Sequence, residues 1–210
     1  MRRTKEDAEQ TRKAILASAM DIFYEKGYSK TTFDEIAKRI NLTKGAVYWY
    51  FRNKPDIVAA LINEYITGHL QSLQSFQPNK QIDFEDIIDM ALYNNHKIQE
   101  DNKIYKYLFF ITCQMEWSEA IINKIQPSIE KTKQVSRNLF LKVLQQLQKA
   151  HKIRQDVDVG EICEILMCMY GGMMEAYFTK RLNQDFDSVV RTGFNLIFNS
   201  IKEKDEKDED

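Results

Sequence analysis

The segment TFDEIAKRINLTKGAVYWYFRNK, Thr32 to Lys54, holds the residue types and spacing with the most chemical content in this 210-residue chain. Three aromatics run together, Tyr48, Trp49 and Tyr50, behind a nearly bare helix start at Gly45 and Ala46. Successive helical residues lie about 100° apart, so a helix of about seven residues hides one stripe of its circumference. Val47 and Phe51, four apart, fill that stripe. At least one of the three aromatics must therefore face outward. Lys44, Arg52 and Lys54 surround them with positive charge. A bare, basic, aromatic-studded helix end fits a nucleic-acid groove better than it fits water.

The elements that must hold this segment are legible around it. A first helix over about 5–26 has one apolar stripe, Ile15, Leu16, Ala19, Ile22 and Phe23, and stops at Gly27, with Tyr28 folding back. Thr32 and Glu35 form a capping box for a second helix whose inward residues are Ile36, Ala37 and Ile40. Asn41 makes a left-handed turn, Leu42 plugs the core, and Thr43 caps the third helix. Asn53 and Asp56 repeat the capping pattern, and Pro55 is tolerated in that first turn. This is a helix-turn-helix on a three-helix core, whose third helix is the one expected in a major groove.

Charge agrees with that reading. The net charge of -1 conceals an excess of cations in residues 1–56, 12 lysines and arginines against 8 acids, while the remainder holds 18 against 23. Basicity concentrated in a short module is the footprint of a polyanion binder. Three cysteines, Cys113, Cys163 and Cys168, sit in apolar runs without nearby histidines, so they read as buried structural thiols and no metal site is expected. With His69, His96 and His151 as the whole histidine complement and no glycine-rich phosphate loop, no enzyme chemistry and no cofactor are expected. The polar start MRRTKEDAEQTRK lacks an apolar leader, and the most apolar run, Ile165 to Met174, is about half a membrane span. A cytoplasmic protein with no membrane partner is expected.

Residues 10–65 resemble the N-terminal domain of TetR-type transcriptional repressors, and LTKGAVYWYFRNK is close to the AcrR-like branch that represses multidrug efflux genes. The resemblance implies a TetR-like all-α fold of about nine helices. A helix-turn-helix DNA-binding domain would span residues 1–54, a ligand-binding and dimerisation bundle residues 55–203, and a disordered acidic tail residues 204–210. By position it assigns base edges to Lys44, Gly45, Ala46 and Trp49 and the sugar-phosphate backbone to Tyr48 and Tyr50. Thr32 and Thr43 would meet phosphates at helix starts, and Lys54 would clamp one. Residue chemistry agrees: a lysine donates to guanine O6 or N7, and an alanine touches a thymine methyl. The chain departs from the family at Asn41, where glycine is common, at Tyr50, where histidine is common, and at Pro55, where an acid often stands.

The rest of the chain reads as helix. One is expected over about 102–117 and another from Pro127 to about 152, with loop residues at 77–80. The 102–117 helix is apolar on several faces, hence central in the bundle. With the family's ligand cavity in mind, Tyr105, Phe109, Phe110, Cys113, Glu116 and Trp117 are its candidate lining, and a buried Glu116 would favour a lipophilic cation. Helix eight carries two apolar stripes. The one through Met167, Tyr170, Met174 and Phe178 needs a partner, and Gly171 and Gly172 would permit a close crossing or, equally, a local kink. In the family, helices eight and nine pair with their symmetry mates, which adds Phe194 and Phe198 to the candidate dimer interface. The resulting expectation is a homodimeric repressor on a palindromic double-stranded operator, released by a small lipophilic ligand. The alternatives are a helical protein-interaction adaptor and a transcriptional activator.

Overall fold

The computed structural model describes residues 4–75 and 82–203, so the 77–80 loop and the 204–210 tail lie outside the described residues. Nine α-helices appear there: α1 Lys5–Lys26, α2 Phe33–Arg39, α3 Lys44–Tyr50, α4 Lys54–Ser75, α5 Phe84–Glu100, α6 Asn102–Phe109, α7 Glu119–Lys149, α8 Val159–Phe178 and α9 Phe186–Ile201. A π-helical turn, Phe110–Gln114, follows α6. No strand occurs among the described residues beyond an isolated antiparallel bridge between Ile153 and Lys202. No helix among them is long and apolar enough to cross a membrane.

Helix boundaries near the N-terminus follow side-chain chemistry. Thr4 and Asp7 form a capping box at α1, and Gly27 ends it with φ 86°, donating its N–H to the Phe23 carbonyl. Thr32 and Glu35 form a second capping box at α2. Asn41 turns the chain with φ 54°, the left-handed conformation its short polar side chain tolerates.

The chain packs as two compact units. The first takes the chain up to Gln71 together with Asp101–Lys131, and the second takes Ser72–Glu100 and the chain from Thr132. Packing therefore does not follow the expected division between 54 and 55. One long helix and two of seven residues bury little apolar surface by themselves. Ile57, Val58, Leu61 and Ile62 of α4, with Tyr107, Phe110, Ile121 and Ile125, complete a core begun by Ile15, Phe23, Ile36 and Val47.

Two expectations for the middle of the chain are corrected. The helix expected over 102–117 ends at Phe109 and passes through the π turn, which widens the arc so that Phe110 stacks on Phe23 with centroids 5.0 Å apart. It packs on α1 rather than standing central in a C-terminal bundle. Conversely, α7 does not restart at Pro127 but runs through it. A proline inside a helix costs about 3 kcal/mol; full burial of Ile121 and Ile125 just before it, with Ile129 packed on the same core, offsets that cost.

The second unit has its own core, built from Ile87, Ile88, Leu144, Leu147, Cys163, Leu166, Phe194 and Phe198. Asp158 and Asp185 cap α8 and α9. Within the chain, the close crossing of α8 and α9 lies at Gly193. A Cβ on Gly193 would stand 2.7 Å from Met173 Cε and 3.1 Å from Met169 Sδ, whereas Gly171 and Gly172 face open space. Three of the six expected dimer residues are turned inward. Phe178, Phe194 and Phe198 are buried in this chain's own core, and Met167, Tyr170 and Met174 are half-buried against it. The Tyr170 hydroxyl donates to the Ala91 carbonyl at 3.0 Å. Cys163 is buried as expected, but Cys113 and Cys168 are exposed, Cys168 on the α8 face shared with Glu164, Gly171, Gly172 and Glu175.

Candidate nucleic-acid interface

Helix α3 is fixed from beneath by one residue. Val47 is fully buried, and Phe51 at the C-cap is buried beside it, with the Arg12 guanidinium over its ring at 5.6 Å. Arg12 also reaches Glu64 at 3.5 Å, so α1, α4 and the end of α3 share one cation. The turn before α3 is closed by the Leu42 N–H donating to the Ala37 carbonyl at 2.9 Å. Ser18 Oγ donates to the Ile36 carbonyl at 3.0 Å and ties α2 to α1. A seven-residue helix on so small a footing has its outer face committed to solvent or to a partner.

That outer face is aromatic and basic. Trp49 is 75% exposed and Tyr48 51% exposed. Tyr48 rests on Phe33 with centroids 4.7 Å apart, and Lys44 Nζ lies 5.9 Å from the centre of the Tyr48 ring. Thr43, Lys44 and Gly45 are exposed and Ala46 is half-buried. A Cβ on Gly45 would meet only Thr43 Oγ1, at 3.9 Å, so nothing within the chain demands a bare backbone there.

The other expected contact residues are already engaged by the protein itself. Thr32 donates its backbone N–H to Glu35 at 2.9 Å and its hydroxyl to the same carboxylate at 2.8 Å. Thr43 Oγ1 accepts from the Ala46 N–H at 3.2 Å, which leaves its own hydroxyl hydrogen free to donate. Tyr50 turns inward: its ring meets Trp49 edge-on at 4.6 Å, and its hydroxyl is buried with no hydrogen-bond partner among the described residues. Lys54 Nζ donates to the carbonyls of Tyr28 at 2.8 Å and Ser29 at 3.1 Å and lies 4.5 Å from the centre of the Tyr28 ring. Burial holds its pKa below the usual lysine value, although the Glu116 carboxylate works the other way. Arg52 remains exposed, its N–H donating to Asp56 at 3.1 Å.

Elsewhere in this unit Glu35 is held down to about 2, first by the Lys26 ammonium and then by Thr32. The Asp56 carboxyl is pushed up by burial, yet Lys124 at 2.8 Å and the Arg52 N–H bring it below its ordinary value. These pairs brace the unit around α2 and the start of α4.

The six candidate ligand residues do not converge on one enclosed space. Phe110 is core, Phe109 is half-buried edge-on to Tyr24 at 5.4 Å, and Tyr105 stacks on Phe109 at 6.2 Å. Cys113 and Glu116 are exposed, and Trp117 is 46% exposed. The Glu116 carboxylate accepts from the Ser29 hydroxyl, so it is not a buried charge awaiting a cation. Among the described residues no group of three or more histidines, cysteines or acids is placed to hold a metal. Sequence reasoning missed the junction of Lys54, Tyr28, Ser29 and Glu116, because Ser29 and Glu116 lie 87 residues apart in the chain.

Residues 15–61 match the family described as bacterial regulatory proteins, tetR family. These residues thus carry the mark of a tetR-family regulatory domain. TtgR, an HTH-type transcriptional regulator of Pseudomonas putida, is 36% identical over 83 residues, a match covering 40% of each protein's length. BepR, an HTH-type transcriptional repressor of Brucella suis, is 28% identical over 184 residues, covering 84% of this chain and 85% of BepR. The fold is that of SmeT of Stenotrophomonas maltophilia, solved in complex with triclosan. The TM-score is 0.73 at 19% identity, with 93% of each chain covered. The tetR-family match thus spans the latter part of α1 through the first turns of α4, the same residues that carry the exposed aromatic face.

Proposed function

We propose that this chain is a homodimeric, ligand-responsive repressor of the tetR family that reads palindromic operator DNA with α3. The observation that carries the reading is the outward Trp49, 75% exposed on a helix whose only fully buried residue is Val47. Lys44, Gly45, Ala46 and Trp49 are assigned to base edges, and Tyr48, Thr43 and the exposed Arg52 to phosphate and sugar. Thr32, Tyr50 and Lys54 are assigned instead to holding the reading helix in place, since their donors are engaged internally or their polar ends are buried.

The ligand is a small lipophilic molecule held in the C-terminal part of the chain, and efflux genes are the proposed targets. SmeT, which shares the fold, is described as the repressor of a multidrug efflux pump and was solved with triclosan. A preference for cations loses its support, because Glu116 is exposed and hydrogen-bonded to Ser29. Coupling between ligand and DNA of about 1–3 kcal/mol would suffice for release.

Selection of bound duplexes from random DNA, followed by fluorescence anisotropy at two salt concentrations, tests the reading. It predicts an inverted-repeat site, and Trp49→Ala loses at least tenfold in affinity with an unchanged thermal midpoint. Recovery of no enriched sequence would sink it.

A further inference from the structure

A groove of about 830 Å³ runs along α1 in the first unit, between α4 and the start of α6. That volume falls within the roughly 300–1,000 Å³ of small-molecule pockets. Its floor is closed by Leu16, Met20 and Leu61, each nearly fully buried, and Ala17 stands exposed within it. Its rim is charged, and the charges are unevenly matched.

Three carboxylates line the groove, and two cations account for all of them. Lys106 Nζ lies 2.8 Å from Asp21, while Arg12 lies 3.5 Å from Glu64 and 3.7 Å from Glu9. Lys13 on α1 and Lys103 on α6 are left lining the same groove with no carboxylate partner among the described residues. Both are exposed. A lysine stem can extend an apolar wall while its ammonium group stays in water. An occupant that satisfies both features has a slender apolar body and one anionic head.

We propose that this groove is a binding site for an amphipathic monoanion, such as a medium-chain carboxylate, with its head between Lys13 and Lys103 and its chain along Ala17. It is separate from the ligand site proposed for the C-terminal part of the chain, and its lining residues all belong to the unit that carries α3. An occupant would sit beside Arg12, the cation that links α1, α4 and Phe51.

The test is isothermal titration calorimetry of the full chain with dodecanoate as the probe, below its micellar concentration. Saturable binding is expected, at least tenfold tighter than for the dodecyltrimethylammonium cation. Lys13→Glu combined with Lys103→Glu should weaken dodecanoate at least tenfold, and Ala17→Trp should block the site. The lysine double variant alters only exposed side chains, so it decides the matter even where Ala17→Trp disturbs folding. Equal affinity for the anion and the cation overturns the proposal, as does dodecanoate binding that neither variant changes. No dodecanoate binding, with an Ala17→Trp variant that loses self-association instead, makes the groove a contact between copies and overturns it too.

Discussion

Lys54 Nζ donates to the main-chain carbonyl of Tyr28 at 2.8 Å and lies 4.5 Å from the centre of the same residue's ring. One ammonium thereby closes the α1–α2 connection against the first turn of α4. A lysine spent this way is a structural strut. Lys54→Met keeps the stem and removes the donors to Tyr28 and Ser29, which should cost about 1–2 kcal/mol. Urea denaturation should show that loss, while the salt dependence of DNA binding stays as in the parent. A salt slope lower by about one with unaltered stability would instead mark Lys54 as a phosphate contact.

Gly45 offers a test in which stability and binding move in opposite directions. It is a helical, exposed glycine whose added Cβ would meet nothing closer than Thr43 Oγ1 at 3.9 Å. Gly45→Ala should stabilise the folded chain by about 0.5–1 kcal/mol, since alanine loses less backbone entropy in a helix. If a base edge comes against this backbone, the same methyl obstructs it, and affinity for the selected operator should fall at least tenfold. Thermal unfolding and anisotropy on the same sample give both readings. A stabilised variant with parental affinity would remove α3's start from the interface.

Much of this site was legible because its signals are local. Caps at Thr32 and Thr43, the Asn41 turn and the i, i+4 pair Val47 and Phe51 each act within five residues, and each lies where the chain places it. Which of three adjacent aromatics turns inward was not legible. Tyr50 is selected by the packing of its ring on Trp49 and the core, a tertiary choice that local sequence does not encode. The region from 102 to 131 misled for a related reason. Its apolar richness reflects a face buried against α1 through Phe110 and Phe23, 87 residues apart, rather than enclosure on every side. Similarly, α8 is apolar on two stripes, and the chain's own core takes in Cys163 and Phe178 of the stripe expected to need a partner while leaving Ile165 outside.

The α2 capping box carries a pH dependence of known sign. Glu35 falls from an ordinary 4.5 to about 2, first through Lys26 and then through Thr32. A depressed carboxylate contributes stability that is fully present above its unfolded value and lost as pH falls through its folded one. The thermal midpoint should therefore decline between pH 4.5 and 2. Glu35→Gln should lower the midpoint at neutral pH and flatten that decline relative to the parent. A variant whose midpoint tracks the parent's across the whole interval would show that other carboxylates govern acid unfolding.

The dimer proposed above would find an exposed apolar surface on α8 and α9. Ile165 is 51% exposed and Leu196 69% exposed, and Gly171 and Gly172 leave open space around a bare helix backbone. Large apolar side chains beside uncovered glycines suit the approach of a second helix, whereas Phe194 and Phe198 are sealed in the chain's own core. Ile165→Glu with Leu196→Glu should convert a dimer to a monomer by light scattering and weaken operator binding, with helical content retained in circular dichroism. Phe194→Ala should behave differently, costing about 3–5 kcal/mol of folding stability through the cavity it leaves. A double glutamate variant that remains dimeric at micromolar concentration would exclude this face, because two buried charges at an apolar twofold contact are not tolerated without partners.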